Sequence, residues 1–551
     1  MNHSHSVSIG QVALAIGVML GFASISLPAL AETSLAFPMQ DYQVKTIHVH
    51  TEHGERTIVV HHYQSIPYVT KPIDLRYQSL NIDVPVEIDR QSVNVAQAPV
   101  ILNITVGGYM SASNQPLGKA QHSPIAHFQH PPRPPIGEMP PGTPLDRRMG
   151  PPLGMVQPRP QDAMEPMDDH QMPPSHKARS EQSVFPGIGS DKANLALAAG
   201  YVVVTPGVRG WDNQSVDGRY FGKAPVAIVD LKAAVRYLHY NSATIPGNEN
   251  WIISFGCSAG GALSALLGAS GNQNQYQAYL DKIGAAKASD AIFASACYSP
   301  ITDLEHADGA YEWMFGKEPL QGSLVNQKPS KELVKQFGNY LDRLQLQGVG
   351  GFGVLTTANY RQYLKSRYLI PALERYLNGL THDDQKIYLD LHPWIRWDGQ
   401  HAQFTWADFV ADMGRLKGLP AFDTLDLSAP ENKLFGSEYV DANHFSEYAL
   451  RQATNNTHAA LTPQMVQLTQ MMNPMTFLLK NKQSGVAQYW WLRTGAKDNN
   501  TSPTVLANLA AGLVEHGKQV NAAYFWEGGH CADTDPQGAI DWVREITGYQ
   551  R

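Results

Sequence analysis

Trp251-Ile252-Ile253-Ser254-Phe255-Gly256-Cys257-Ser258-Ala259-Gly260-Gly261 (residues 251–261) joins an apolar run to Gly-x-Ser-x-Gly, then continues into Ala262-Leu263-Ser264-Ala265. The order reads as strand, tight turn, helix, the setting in which a serine is bent out of the chain as a nucleophile. Such a turn is strained, so the residues two before and two after the serine must be small; Gly256 and Gly260 meet that need. Ser258 would stand at a helix N-terminus, where backbone N–H groups and the helix dipole favour a developing negative charge. A Gly-rich turn with an inert hydroxyl would look the same in isolation. The rest of the chain decides between the two.

Working outward, Ala98 to Val106 is a buried-type strand that ends in Gly107-Gly108-Tyr109. Before it, Val44–His50 and Thr57–Tyr63 flank a turn at His53-Gly54-Glu55 and predict a β-hairpin. After it come a helix at Asp191–Ala199, a strand at Gly200–Thr205, an amphipathic helix at Pro225–Tyr240 and the stretch quoted above. Asp290–Cys297 is the next strand, then Gln488–Arg493, a helix at Thr504–His516, a strand at Val520–Trp526 and a final helix at Gln537–Thr547. Apolar strands alternating with helices imply a mostly parallel sheet covered on both faces. Together with the serine turn, this predicts an α/β-hydrolase fold. From about Thr302 to Lys482 strands give way to helical segments such as Tyr360–Tyr376 and Phe404–Met413. The expected organisation is therefore a leader at 1–31, a first core part at 32–301, a helical lid at 302–483 and a second core part at 484–551.

In this fold the acid and the histidine follow the serine, each just past a strand. Asp498 follows Tyr489–Arg493, and His530 follows Tyr524-Phe525-Trp526 through Glu527-Gly528-Gly529. The expected triad is Ser258, Asp498 and His530, with His530 as the proton acceptor and Asp498 fixing its tautomer. The N–H groups of Gly108 and of Ala259, the residue after the serine, are the expected oxyanion hole.

Residues 1–31 carry an apolar stretch at Val12–Ala23, too short to span a bilayer, and a small-x-small site at Ala29-Leu30-Ala31. They read as a cleaved signal peptide, although the first residues lack Lys and Arg, and the mature chain is expected to be periplasmic or secreted. Three cysteines remain, Cys257, Cys297 and Cys531. Cys257 precedes Ser258 and Cys531 follows His530. If serine and histidine are in hydrogen-bond reach, these two thiols are near disulfide distance, and an oxidising compartment would pair them. Cys297, at the end of a strand, reads as a small buried apolar residue.

A net charge of −7 with 17% charged residues gives no basic surface for nucleic acid or an anionic membrane. No segment after the leader is apolar enough for a membrane span. Residues 114–184 hold 16 of the 37 prolines with six Met and five His, and read as a solvated insertion unable to form a core alone. Thioether and imidazole groups there would suit copper, but the spacing is irregular; no metal site and no cofactor are expected.

The Cys-Ser, Asp and His-Cys pattern with its own disulfide resembles the tannase and feruloyl esterase group of α/β-hydrolases. The Val106-Gly107-Gly108-Tyr109 loop, the serine turn, the large lid and the interval of 32 residues from Asp498 to His530 are similar to those of bacterial tannases. The resemblance covers about 98–108, 195–300 and 486–545 well and the lid loosely. It implies a small aromatic ester as substrate, a phenolic acid (galloyl or hydroxycinnamoyl) joined to an alcohol. Bacterial tannases carry a second Asp two positions after the catalytic one, where this chain has Asn500. Asn500 and Glu438, in Leu434-Phe435-Gly436-Ser437-Glu438, are the candidate substrate contacts. No clustered Asp/Asn loop suggests the calcium that some relatives bind. Two readings from other classes remain open at this stage: a serine peptidase of the same fold, and a non-catalytic metal-binding protein using the 114–184 tract.

Overall fold

The computed structural model describes residues 32–114, 189–479 and 485–551. The leader and the Pro/Met/His-rich tract of the sequence analysis lie outside these residues, apart from Asn114. Nine strands make up the main sheet: β1 (Gln43–Thr51), β2 (Gly54–Pro67), β3 (Ser79–Ile88), β4 (Val100–Ile104), β5 (Val202–Pro206), β6 (Ile252–Cys257), β7 (Ala294–Tyr298), β8 (Tyr489–Gly495) and β9 (Gln519–Phe525). Their spatial order is β1-β2-β3-β5-β4-β6-β7-β8-β9, and the two-residue strand Gln91–Ser92 adds to β3. The β1–β2, β2–β3 and β3–β5 pairs are antiparallel, whereas β5–β4–β6–β7–β8–β9 run parallel.

The parallel strands explain themselves from composition. β4 (Val-Ile-Leu-Asn-Ile), β6 (Ile-Ile-Ser-Phe-Gly-Cys) and β7 (Ala-Ser-Ala-Cys-Tyr) are buried at every position. Near-continuous apolar runs, broken only by Asn103, Ser254 and Ser295, suit strands covered on both faces. After β4 the chain places β5 on one side of it and β6 on the other. The order in which strands are added thus reverses at β4 while their direction stays the same, and a crevice opens at the carboxyl ends of β4 and β6.

Helices α1 (Gly189–Ala198), α2 (Val226–Tyr240) and α3 (Ala259–Ala269) precede or follow these strands as expected. Helix α3 is buried along its whole length and packs on β6 and β7. Two strand expectations need correction. β3 was not predicted at all. The stretch Thr302–Lys482, expected to be free of strands, holds two small antiparallel pairs, Gln347–Gly348 with Gly353–Val354 and Arg396–Trp397 with Ala402–Gln403. They are two residues long, below what alternating hydrophobicity can signal. The inserted stretch is otherwise mainly helical, beginning with α4 (Leu304–Phe315) and including α5 (Pro430–Leu434). Its described residues form one compact unit with the sheet. Helices α6 (Thr504–Glu515) and α7 (Pro536–Thr547) complete the chain, and α7 packs on α1. Among the described residues no helix is long and apolar enough to cross a membrane.

Candidate active site

Ser258 sits between β6 and α3 with φ 57° and ψ −123°. A non-glycine residue at positive φ is strained by about 1–2 kcal/mol, and the surroundings hold it there. Its N–H donates to the Tyr298 carbonyl at 3.0 Å, and its carbonyl accepts the Ile301 N–H at 3.1 Å. The two glycines are required by space. A Cβ on Gly256 would stand 2.2 Å from the Gly260 carbonyl oxygen, and one on Gly260 2.8 Å from that of Val106.

The structure brings the three predicted residues together. His530 Nε2 is 2.9 Å from Ser258 Oγ, and His530 Nδ1 is 3.1 and 3.0 Å from the two Asp498 oxygens. Asp498 also accepts the Asn500 N–H at 3.0 Å and the Thr494 hydroxyl at 3.3 Å. Burial alone would raise its carboxyl pKa. The imidazole charge and hydrogen bond of His530, with the Ser299 and Asn500 donors, outweigh that and hold it below the usual value. An ionised acid, an imidazole and a hydroxyl in line form a proton relay suited to acyl transfer. The residues beside the acid and before the base are linked as well. Lys497 Nζ is 2.7 Å from Glu527, and Asp412 of the insertion joins it at 3.1 Å.

Gly108, on the loop after β4, adopts φ 55°, and its carbonyl accepts the Trp211 indole N–H at 2.7 Å. The next residue, Tyr109, is fully buried and donates its hydroxyl to the Ile301 carbonyl at 2.6 Å. Ile301 is the residue that also donates to Ser258, so the Gly108 loop and the serine turn are tied through one backbone segment. Ala259 opens α3, where the first-turn N–H groups have no partner within the helix.

Cys257 and Cys531 form a disulfide across 274 residues, with Cα atoms 5.8 Å apart. Cys297 is the free thiol among the described residues; burial pushes its pKa up to about 12, which leaves it inert. Replacing both Cys257 and Cys531 by Ala should lower kcat by about tenfold to a hundredfold, since a 1 Å drift of a catalytic base can cost that much. Far-ultraviolet circular dichroism should change little. Equal kcat with and without the bond would show that it does not serve the triad.

The BD-FAE family model matches residues 182–338, a span that includes the serine turn. Over 96 residues the chain is 38% identical to Esterase LipC of Mycobacterium tuberculosis, a match spanning 17% of this chain and 24% of that protein. Whole-chain similarity comes from solved structures. The Lactobacillus plantarum tannin acyl hydrolase aligns at 28% identity and TM-score 0.72, over 93% of this chain and 99% of that one. The Fusobacterium nucleatum tannase is 30% identical with a TM-score of 0.71, again over 93% and 99%. The chain belongs to the tannase family.

Tannase-family membership gives the remaining candidates a frame, that of carboxylic ester hydrolases with the α/β-hydrolase fold. Asn500 lies two residues past the acid, half-buried, with its backbone on Asp498. Glu438 is placed differently from what a substrate contact needs. Its side chain is 52% exposed and pairs with Arg219 at 3.2 Å on the surface. No contact among the described residues links it to the triad.

Two groups not singled out by sequence do converge on the site. Lys417 is held below its ordinary pKa by burial, against the pull of Glu431, Asp498 and Asp308. Its ammonium also lies 3.7 Å from the centre of the Phe422 ring. Burial raises the carboxyl of Glu431 on α5, with Lys417 opposing, and the same carboxylate acts on Tyr109. The charge of Lys417 thus acts on Asp498, and that of Glu431 on Lys417 and on Tyr109, the neighbour of Gly108. Buried carboxylates fix this segment. Asp308 of α4 accepts the Phe422 and Asp423 N–H groups at 2.7 and 3.2 Å, and burial beside Asp423 pushes it up to about 7. Asp423 in turn accepts from Asn432, the neighbour of Glu431, at 2.7 Å. No motif announces these residues; only their burial in the folded chain does.

Proposed function

We propose that the chain hydrolyses phenolic-acid esters through an acyl-enzyme on Ser258. The observation that carries this is the continuous Ser258–His530–Asp498 hydrogen-bond chain at the end of a tannase-family sheet. Ser258 Oγ attacks the ester carbonyl while His530 Nε2 takes its proton. The carbonyl oxygen becomes an oxyanion held by the Gly108 and Ala259 N–H groups. His530 returns the proton to the leaving alcohol, and the acyl group stays on Ser258. Water, deprotonated by the same imidazole, then releases the acid.

Lys417, Glu431 and Asn500 supply the polar end of the acyl pocket in this reading. A half-buried cation beside a buried carboxylate and an amide suits ring hydroxyls, which can donate to Glu431 and accept from Lys417 and Asn500. Neighbouring structures hold ethyl gallate and 3,4-dihydroxybenzoate. The decisive experiment is hydrolysis of methyl gallate, methyl ferulate, chlorogenate and a peptide anilide by the mature protein. Turnover of the anilide alone would replace the esterase reading with a peptidase one.

Asn500 is the residue by which we expect the chain to choose among acyl groups. A carboxylate there would accept from two adjacent hydroxyls, whereas the neutral amide accepts with one oxygen only. Asn500→Asp should therefore shift the gallate-to-ferulate ratio of kcat/KM toward gallate by about tenfold to a hundredfold, the worth of one charge-assisted hydrogen bond. An unchanged ratio would place the ring's polar contacts elsewhere. We further assign the chain to the periplasm or the exterior. The pattern of residues 1–31 and the Cys257–Cys531 bond support this. An exported protein whose first residue is Glu32 would bear it out; one retaining Met1 would not.

A further inference from the structure

The segment that carries His530 runs from Trp526 to Asp535 without helix or strand, between β9 and α7. The Lys497 N–H donates to its Gly528 carbonyl at 2.8 Å, and beyond Gly528 its place is set largely by side chains. One tie is the disulfide at Cys531, and a second is the Cys531 N–H donating to Ser299 Oγ at 3.1 Å. A third comes from α1. Lys192 has a side chain only 6% exposed, and its Nζ stands 2.6 Å from Oδ2 of Asp533, itself 12% exposed. The same ammonium lies 3.2 Å from the centre of the Tyr298 ring. Opposite charge and the aromatic face hold the ammonium in place.

Lys192 therefore touches two parts of the site at once. Tyr298 is the residue whose carbonyl holds the Ser258 N–H, and Asp533 lies three residues beyond His530. Burying an ammonium is costly, and burial pulls this one's pKa down to about 8 against the opposing charge of Asp533. An apolar side chain of the same length would fill the space without that cost, so packing does not account for a lysine here.

We propose that Lys192 is a positioning residue for His530, holding Asp533 so that the 530–535 turn keeps the imidazole facing Ser258. The proposal rests on the esterase reading of Ser258 and His530 and adds to it a residue that touches neither substrate nor triad. The test compares Lys192→Met, Lys192→Arg, Asp533→Asn and the Met/Asn double variant with the wild type. Two readouts are needed: kcat and KM on the ester the wild type hydrolyses best, and the rate at which a small fluorophosphonate modifies Ser258. The second reports serine–histidine alignment without any acyl preference. Lys192→Met and Asp533→Asn should each lower kcat and the phosphonylation rate by about tenfold, with KM within about twofold. The double variant should be no worse than the weaker single one, because the two groups act as a unit. Lys192→Arg, which keeps the charge, should retain most of the rate. If Lys192→Met does not fold, Asp533→Asn and Lys192→Arg carry the comparison. Unchanged phosphonylation, losses confined to KM, or additive losses would overturn the proposal. Failure of the esterase reading would show instead as a wild type that neither turns over phenolic esters nor is modified at Ser258.

Discussion

Replacing Ser258 by Ala is expected to lower kcat/KM by about 10³-fold or more on every ester the wild type hydrolyses. No other hydroxyl can take over. Within the described residues, His530 Nε2 has Ser258 Oγ as its hydrogen-bond partner, and its other nitrogen is committed to Asp498. The fold should be indifferent to the change. The positive φ of residue 258 is set by the Tyr298 and Ile301 backbone contacts, which an alanine keeps. Gly256 and Gly260 leave the room for the turn in either case. Thermal unfolding should therefore occur within a few degrees of the wild type, and intact-mass measurement during turnover should show no acyl adduct. A variant that keeps most of its activity would remove Ser258 from the mechanism.

Asp498→Asn is the second large effect, about 10³- to 10⁴-fold in kcat. The carboxylate accepts from Nδ1 and so leaves Nε2 free to take the serine proton. An amide can turn its NH₂ toward Nδ1. That places the imidazole proton on Nε2, where it can no longer act as a base. The amide also withdraws the charge that stabilises the imidazolium during attack, and leaves Lys417 with one fewer opposing carboxylate. Because the Asp498 pKa is lowered in the fold, its charged form contributes stability above the unfolded value near 3.9. That contribution is lost as pH falls through the folded value. The Asn variant should lack this acid step while folding normally at neutral pH. Activity within tenfold of the wild type would point to another acid.

What could be read from the sequence is what local pattern controls. β4, β6 and β7 are buried throughout and mostly apolar, and Ser258, Asp498 and His530 each lie just past a strand, β6, β8 and β9 in turn. The placement of all three was therefore visible before any folding. β3 was not. Its sequence holds Asp83 and Pro85, and proline speaks against an inner strand. The structure accommodates it because β3 pairs with β5 only through Leu80–Asp83, and Pro85 sits at a register shift opposite Val60. Lys417, Glu431 and Lys192 were equally hidden. Each is an ordinary charge outside any motif, and its meaning comes from neighbours supplied by other elements. Glu438 shows the converse. It is an acid two residues past a glycine of the insertion, and its partner Arg219 lies on the surface.

Ser258 and His530 are separated by 272 residues, and the bond between their neighbours spans 274. The turn that strains the serine is made from adjacent chain and from strands that precede residue 300. The base arrives only after the whole insertion has been threaded, β9 has docked on β8, and the last turn before α7 has closed. Contacts of such long range form late, because the chain must first give up the freedom of everything between them. Hydrolysis is thus the last property the molecule acquires. A chain without its last 22 residues, from His530 on, has the nucleophile but not its base, and turnover therefore reports that this end of the chain is in place.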